Sequence, residues 1–242
     1  MRMEWGFLTP AHIISLVVAA LILTVLYWIL KNKSPKVQIW ILFPLSCSGI
    51  AAIVFNLLRW GSPLDYLPLH LCSLNALILP VAVLTRNKTI SNLLLVWCLG
   101  ALVALVANFE MQTTKLFGEA FCFYYFPHIF EFGIPVLLFK LGLVKKDARC
   151  IGSTLGITVL IYTFVHFCNK AIYQHAGIHA NYMFSIESTN PLTALFYQVI
   201  PYEYWYMYLA VPVVAVYLLI VYAPELLSWY RSRKKIREKV RV

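Results

Sequence analysis

The chain has 242 residues, of which 61% are hydrophobic and only 12% are charged, and its formal net charge is +10. A soluble globule of this length needs more polar surface than this composition provides, so the sequence indicates a polytopic membrane protein. Seven of the twenty Lys and Arg residues lie in the last twelve positions and most others flank apolar runs, which is typical of membrane topology and excludes a nucleic-acid-binding face.

Apolar runs long enough to cross a bilayer recur along the whole chain. The first is as long as the others and lacks a small-residue cleavage site, so it is interpreted as a span and not as a signal peptide. The connections are too short to hold a soluble domain. The sequence therefore predicts an all-α, seven-span transmembrane helical bundle as one domain over residues 1–230, with a basic tail at 231–242. The seven predicted spans are 9–30, 37–58, 67–85, 89–107, 121–143, 150–172 and 203–222.

The distribution of positive charge predicts an orientation. With seven spans, sixteen of the Lys and Arg residues fall on one side of the membrane and four on the other. By the positive-inside rule, the N-terminus is outside and the C-terminus is cytoplasmic. We expect a multi-pass protein of the cell membrane whose basic tail contacts anionic lipid headgroups.

The third run carries polar groups inside an apolar segment. Residues 67–85 would form roughly 28 Å of helix, about one hydrocarbon core. Cys72 and Asn75 are three residues apart and share a helix face. His70 lies about 200° away from Cys72 on a regular helix, so both reach one cavity only if the turn after Pro68 is irregular. Polar groups at such positions need partners from other helices and are functional-site candidates.

The fifth run contains a second candidate pair. His128 and Glu131 share a face, and His128 is predicted to lie at about the same depth below the outer surface as Cys72. Pro127 and Pro135 are expected to loosen this helix, because proline removes a backbone hydrogen bond. A thiol beside an imidazole supplies nucleophilic chemistry, with the histidine as base. Glu131 or a loop residue is expected to orient the imidazole.

The predicted outer connections add further polar residues near these two. Among them, Asn181 and Tyr182 precede the last span and Glu203 stands at its mouth. The other polar residues of these connections are Glu110, Glu119, His175, His179, Glu187 and Asn190.

Each signal also has a purely structural interpretation. A cysteine in a transmembrane helix often only packs, and an intramembrane histidine is often a satisfied hydrogen-bonding group. Glu131 is then no more than a partner of His128. The aromatic cluster at 202–208 is interpreted as an interfacial belt.

Three motifs together resemble a known family. They are Leu-Pro-Leu-His-Leu-Cys at 67–72, Phe-Pro-His at 126–128 and Asn-Tyr-Met-Phe at 181–184. In these motifs and in span number the chain resembles the YwaF-type integral membrane family, whose animal member is transmembrane protein 164. That member is regarded as a phospholipid acyltransferase that uses a cysteine and a histidine, and a more distant relative as a lipid hydrolase. The resemblance implies a catalytic Cys72 with His128 as its base.

The function predicted from the sequence is therefore a lipid acyltransferase with membrane lipids as partners: an acyl donor, and a lysolipid or alcohol acceptor. His70, Asn75, Glu131, Asn181, Tyr182 and Glu203 are the predicted supporting residues. No metal or diffusible cofactor is expected. Two alternatives stay open: hydrolysis by the same pair, with water as acceptor, and a non-enzymatic transporter or sensor with a His/Glu path.

Overall fold

A computed structural model describes residues 4–59, 62–107, 114–115 and 118–240 of the chain. Its α-helices are α1 Pro10–Leu30, α2 Pro35–Ser46, α3 Ser48–Arg59, α4 Leu71–Thr85, α5 Lys88–Ala107, α6 Phe126–Lys140, α7 Cys150–Ala176, α8 Pro191–Val199 and α9 Ala210–Val240. The predicted helical class is therefore confirmed. Glu110 lies outside the described residues, as do the tail side chains beyond Arg231.

Shorter elements join these helices. A two-stranded antiparallel pair links β1, Glu4–Trp5, to β2, Thr114–Lys115. A π-helical turn at Phe121–Tyr125 leads directly into α6. The 3₁₀ turns are Pro63–Asp65, Tyr182–Phe184 and Tyr206–Leu209.

Six helical segments in the described residues are long and apolar enough to cross a membrane. Two of them are composite, since α2 and α3 form one apolar segment and the π turn continues into α6. The segments are Pro10–Leu30, Pro35–Arg59, Lys88–Ala107, Phe121–Lys140, Cys150–Ala176 and Tyr206–Ser228. The protein is therefore a multi-pass helical membrane protein.

The third predicted span differs from the expectation. Its helix α4 begins at Leu71, not at residue 67, and has 15 residues, or about 22 Å of helix. His70 is the N-cap residue, with extended φ and ψ of −73° and 152°. The amide of Leu67 instead donates to the hydroxyl of Tyr182 at 2.9 Å. Cys72 is consequently the second residue of α4 and not the sixth residue of a helix that begins at residue 67.

Helices α5 and α6 form the centre of the bundle. In the most apolar stretch of each segment, 56% of the residues are buried for α5 and 61% for the segment that contains α6. The corresponding fraction is 17% for α1 and for the segment that contains the start of α9. Trp97 on α5 is completely buried and donates from Nε1 to Oγ1 of Thr158 on α7 at 3.0 Å. Tyr217 on α9 donates to the backbone oxygen of Leu95 at 2.8 Å. These bonds satisfy polar groups that a hydrocarbon environment leaves without water.

The peripheral helices expose apolar side chains. On α1, for example, Ile14, Leu21, Val25 and Trp28 are each more than half exposed. Soluble monomers rarely expose so many large apolar side chains together. They are the surfaces expected to face lipid.

Asp147, in the connection between α6 and α7, joins two helix ends. It accepts from Arg149 at 3.0 Å and from Lys88, at the start of α5, at 2.5 Å. The hydrogen bonds from Arg149 first, and then from Lys88, hold the pKa of the Asp147 carboxyl well below its usual range. The start of α5 is thereby tied to the approach to α7.

Candidate functional site

The orientation of His128 is fixed by its own helix. Nδ1 of His128 lies 2.5 Å from the backbone oxygen of Tyr124, one turn earlier. A carbonyl oxygen only accepts hydrogen bonds, so Nδ1 carries the proton in the neutral ring. The lone pair is then on Nε2, which is the nitrogen that can accept a proton or bind an electrophile.

The backbone before α6 is irregular. Pro127 has no N–H, so the backbone oxygen of Phe123, four residues earlier, loses its usual helical donor. That turn, Phe121–Tyr125, is π-helical, and such bulges are frequent at functional sites. Pro127 therefore adjoins an irregular turn, and its loosening effect on the helix stays a prediction.

Cys72 and Glu131 lie beside His128. Sγ of Cys72, a ring nitrogen of His128 and a carboxylate oxygen of Glu131 all lie within 4.8 Å of one another. Nε2 of His128 is 3.7 Å from Oε2 of Glu131. His128 and Glu131 are only 7% and 4% exposed, whereas Cys72 is partly accessible. We call these three side chains the Cys-His-Glu cluster.

Glu131 is held from two other helices. Nδ2 of Asn75 on α4 donates to the backbone oxygen of Glu131 at 2.8 Å. A Cβ atom added at Gly49 on α3 would overlap Oε1 of Glu131 and lie 2.6 Å from Cβ of Ala76. Glycine at position 49 therefore permits α3 to pack closely against the carboxylate of Glu131.

The position of Cys72 in α4 favours negative charge on sulfur. The first amides of a helix have no intrahelical acceptor, and His70 provides no side-chain cap. These amides and the helix dipole stabilise anions at a helix N-terminus, thiolates included. The irregular turn before α4 therefore places Cys72 in the first turn of a helix, where the amides have no intrahelical acceptor.

His70 is bonded away from the Cys-His-Glu cluster. Its Nδ1 accepts from the amide of Met183 at 3.3 Å. Its ring also packs edge-on against Tyr182, with 5.3 Å between the ring centroids. His70 thus connects the start of α4 to the segment that carries the Asn-Tyr motif.

That segment, residues 181–187, packs over the start of α4, and we call it the cover. The Tyr182 hydroxyl donates to the backbone oxygen of Leu64 and accepts from the amide of Leu67. Met183 and Phe184 both have φ of 54°, a left-handed conformation that costs free energy for such residues. A strained segment persists only when surrounding contacts hold it, as the Tyr182 bonds do here.

Asn181 folds the same segment back on itself. Its Oδ1 accepts from the amides of Ile186 and Glu187, at 3.1 and 3.2 Å. Its Nδ2 donates to the backbone oxygen of Glu187 at 2.9 Å. Asn181 and Tyr182 therefore shape the cover over α4 and do not touch the cluster through these bonds.

Glu203 is not brought into this arrangement. Its carboxylate pairs with Lys170 on α7 at 3.2 Å, and both side chains are about half exposed. Of the predicted supporting residues, Glu131 belongs to the cluster, Asn75 contacts it, and His70, Asn181 and Tyr182 build the cover.

The sequence interpretation missed three buried residues that hold this cover. Asn169 on α7 donates to the backbone oxygen of Tyr182 and to Oγ of Ser185, both at 2.9 Å. His166, one turn earlier, places Nδ1 3.2 Å from the same Oγ. A polar pair three residues apart in an apolar span was the available signal.

Another buried histidine has structural partners for both of its ring nitrogens. His12 on α1 places Nε2 2.8 Å from the backbone oxygen of Leu105, and its Nδ1 accepts from the amide of Leu8 at 3.2 Å. Both ring nitrogens therefore have partners. By contrast, Nε2 of His128 makes no hydrogen bond with any group in the described ranges.

A polar cavity of about 300 Å³ adjoins His70. Its volume is at the lower end of the range for small-molecule sites. The polar residues lining it include His70, His179, Asn181, Glu187 and Thr189. The cavity therefore lies between the cover and the turn that leads to Cys72.

These observations define a class: a multi-pass helical membrane protein with a buried Cys-His-Glu cluster at the start of a short helix. The family model of the TMEM164 family matches residues 7–222. The chain therefore belongs to the TMEM164 family, and the resemblance seen in the motifs is confirmed. No curated protein and no solved structure gives a significant match.

The cover makes a testable prediction about Tyr182. Tyr182→Phe removes the hydroxyl that pairs with Leu67 and Leu64. Loss of a partner for a buried polar group costs about 1–3 kcal/mol, so we expect a lower unfolding temperature in detergent and faster amide hydrogen exchange over residues 64–71.

The matched control is Tyr202→Phe, since Tyr202 is 67% exposed. It should leave both measurements unchanged. Equal behaviour of the two variants would contradict the clamping role of Tyr182.

Proposed function

We propose that this protein is a lipid acyltransferase of the cell membrane in which Cys72 is the nucleophile and His128 its base. The observation that carries the proposal is the Cys-His-Glu cluster, whose reactive atoms lie within 4.8 Å of one another. Catalytic contacts are often long without substrate and tighten when it binds.

In the first half-reaction, Nε2 of His128 takes the proton of the Cys72 thiol, and Glu131 stabilises the resulting imidazolium. The sulfur attacks the acyl carbonyl carbon of a phospholipid ester. The free amides at the start of α4 stabilise the negative charge on the carbonyl oxygen. The C–O ester bond breaks, His128 returns its proton to the departing alkoxide, and a lysolipid leaves the Cys72 thioester.

In the second half-reaction, the hydroxyl of a lysolipid or alcohol acceptor occupies the place of the leaving group. His128 takes its proton while its oxygen attacks the thioester carbonyl. The C–S bond breaks and the thiolate of Cys72 is regenerated and reprotonated. The steps balance without an external cofactor.

The surroundings support a lipid substrate. Cys72 lies on an apolar helix within a bundle that exposes apolar faces. One of the residues that line the polar cavity, His70, comes two positions before Cys72 in the chain. We assign this cavity to the lipid headgroup, with the acyl ester near the sulfur and the chains in the apolar surroundings. The basic tail after Arg231 contacts anionic headgroups.

We also propose seven crossings, with α4 as the third. Arg59, before α4, pairs with Glu119 at 3.8 Å, and Lys88, at the start of α5, pairs with Asp147 at 2.5 Å. The 20-residue α5 is long enough to separate Lys88 from the connection that contains Glu119. The segment between Arg59 and Lys88 therefore connects opposite faces, which supports a crossing by α4 despite its short length.

This topology predicts the labelling of two exposed positions. In intact cells, an impermeant thiol reagent should modify Gln174→Cys, at the outer end of α7. It should modify Lys145→Cys, between α6 and α7, only after permeabilisation. The exposed Cys122 is replaced by alanine in both proteins. Modification of both positions from outside would contradict the seven-crossing arrangement.

The catalytic pair predicts non-additive losses of turnover. Cys72→Ala and His128→Ala should each abolish acyl transfer in liposomes, because a general base alone contributes about 10²- to 10⁴-fold. The double variant should be little worse than either single variant, since residues that act as a unit are not additive. The measurement is transfer of a labelled acyl chain to a lysolipid.

Cys47→Ala is the matched control, because Cys47 is also partly buried but lies at the α2–α3 junction. It should retain turnover, and thermal unfolding checks the fold of every variant. Normal acyl transfer in folded Cys72→Ala would contradict covalent catalysis by this residue. Absence of acyl transfer in folded wild type would instead favour the transporter or sensor function. Acyl release that proceeds equally without acceptor would favour hydrolysis.

A further inference from the structure

The Cys-His-Glu cluster also combines three kinds of metal ligand in one place. A thiol, an imidazole and a carboxylate are the sulfur, nitrogen and oxygen ligands that Zn²⁺ prefers. Mg²⁺ and Ca²⁺ prefer sites made of oxygen only. The three ligand atoms lie within 4.8 Å of one another, on two buried side chains and one partly accessible side chain.

Two donor atoms of the cluster have no hydrogen-bond partner among the described residues. They are Nε2 of His128 and Oε2 of Glu131, on side chains that are more than nine-tenths buried. Buried polar atoms without partners are costly. A ligand that both atoms can reach would remove that cost.

The geometry suits a small cation. Zn²⁺ bonds of about 2.0–2.3 Å place the ligand atoms of a tetrahedral site roughly 3.3–3.7 Å apart. Nε2 of His128 and Oε2 of Glu131 are already 3.7 Å apart. Sγ of Cys72 lies within 4.8 Å of a ring nitrogen of His128 and a carboxylate oxygen of Glu131, so it needs to move closer to complete the site.

The hydrogen bonds around the cluster resemble those that orient the ligands of metal sites. Metal-binding histidines usually donate their second ring N–H to an oxygen, as Nδ1 of His128 does to Tyr124. Asn75 donates to the Glu131 backbone, and its Oδ1 is a buried acceptor without a partner in the described residues. Asn75 shares a helix face with Cys72 and can accept a hydrogen bond from a water in the fourth position.

Charge balance favours a divalent ion in particular. Within the described part of the chain, Glu131 has one ion-pair partner, which is His128. Thiolate and carboxylate together carry two negative charges, and burial of unpaired charge is expensive. One Zn²⁺ neutralises both while His128 stays uncharged.

We propose that Cys72, His128 and Glu131 form a Zn²⁺ site, and that bound Zn²⁺ and acyl transfer exclude one another. The ion would use the sulfur lone pair and Nε2, the two groups that attack the ester and move the proton. The exclusion, but not the binding site, rests on the proposed function. Zinc would thus switch the enzyme off reversibly.

The test begins with Zn²⁺ binding to metal-free, full-length protein in detergent, measured by equilibrium dialysis and elemental analysis. We expect one ion per chain in wild type and in Cys47→Ala. Cys72→Ala and Glu131→Gln should bind at least tenfold more weakly while unfolding normally on heating. Co²⁺ as a probe should give a thiolate-to-metal absorption band that Cys72→Ala removes. Absence of stoichiometric binding, or equal affinity in all four proteins, would overturn the site.

Activity separates this inference from the proposed function. Added Zn²⁺ should inhibit acyl transfer over the same concentration range in which it binds, and a chelator should restore turnover. Transfer in a protein that binds no Zn²⁺ would refute the site and leave covalent catalysis standing. Transfer that requires Zn²⁺ bound at Cys72 would refute the covalent function and leave the site standing. Binding at the site without inhibition would refute the exclusion.

Discussion

The hydrogen bond from His128 to the backbone of Tyr124 is the contact on which the site depends. An imidazole buried among apolar helices has no water to satisfy it, so its N–H needs a protein acceptor. The Tyr124 oxygen takes Nδ1 and thereby leaves Nε2 directed at Glu131. The proton chemistry of the site follows from this single constraint, because it fixes which nitrogen can act as base or ligand.

The same need for internal partners organises the surrounding helices. Helix α3 approaches closely because residue 49 has no side chain, and α4 is linked through Asn75 to the backbone of Glu131. Tyr182 holds the turn before α4, because its hydroxyl forms hydrogen bonds with backbone groups of residues 64 and 67. Short polar contacts between neighbouring helices are a common means of association where the lipid is as apolar as the side chains.

Much of this arrangement was predictable from the sequence. Apolar runs gave the helices to within a few residues in most cases, and polar residues at helical spacing identified His128 with Glu131 and Cys72 with Asn75. The start of α4 was not predictable, because the bonds from Tyr182 that end the extended turn come from more than a hundred residues away. The contact between His128 and Tyr124 was also not predictable, since it uses a backbone oxygen, which every residue has.

Glu203 illustrates the opposite error. Its place at the mouth of the last span suggested a role in the site, but an ion pair with Lys170 accounts for it. Conversely, His166 and Asn169 on α7 support the cover although the sequence interpretation passed over them. Helical spacing could pair residues within one helix, but it does not say which neighbouring helix a side chain meets.

The central claim is that the Cys72 sulfur carries the acyl group between two lipids. The most direct measurement incubates the protein in liposomes with a phospholipid bearing a labelled acyl chain and no acceptor, then analyses its peptides by mass spectrometry. We predict one acyl group on Cys72, released by neutral hydroxylamine and strongly reduced in His128→Ala, because the base that prepares the thiolate is then missing. Continued acyl transfer by a protein whose Cys72 never becomes acylated would contradict the claim.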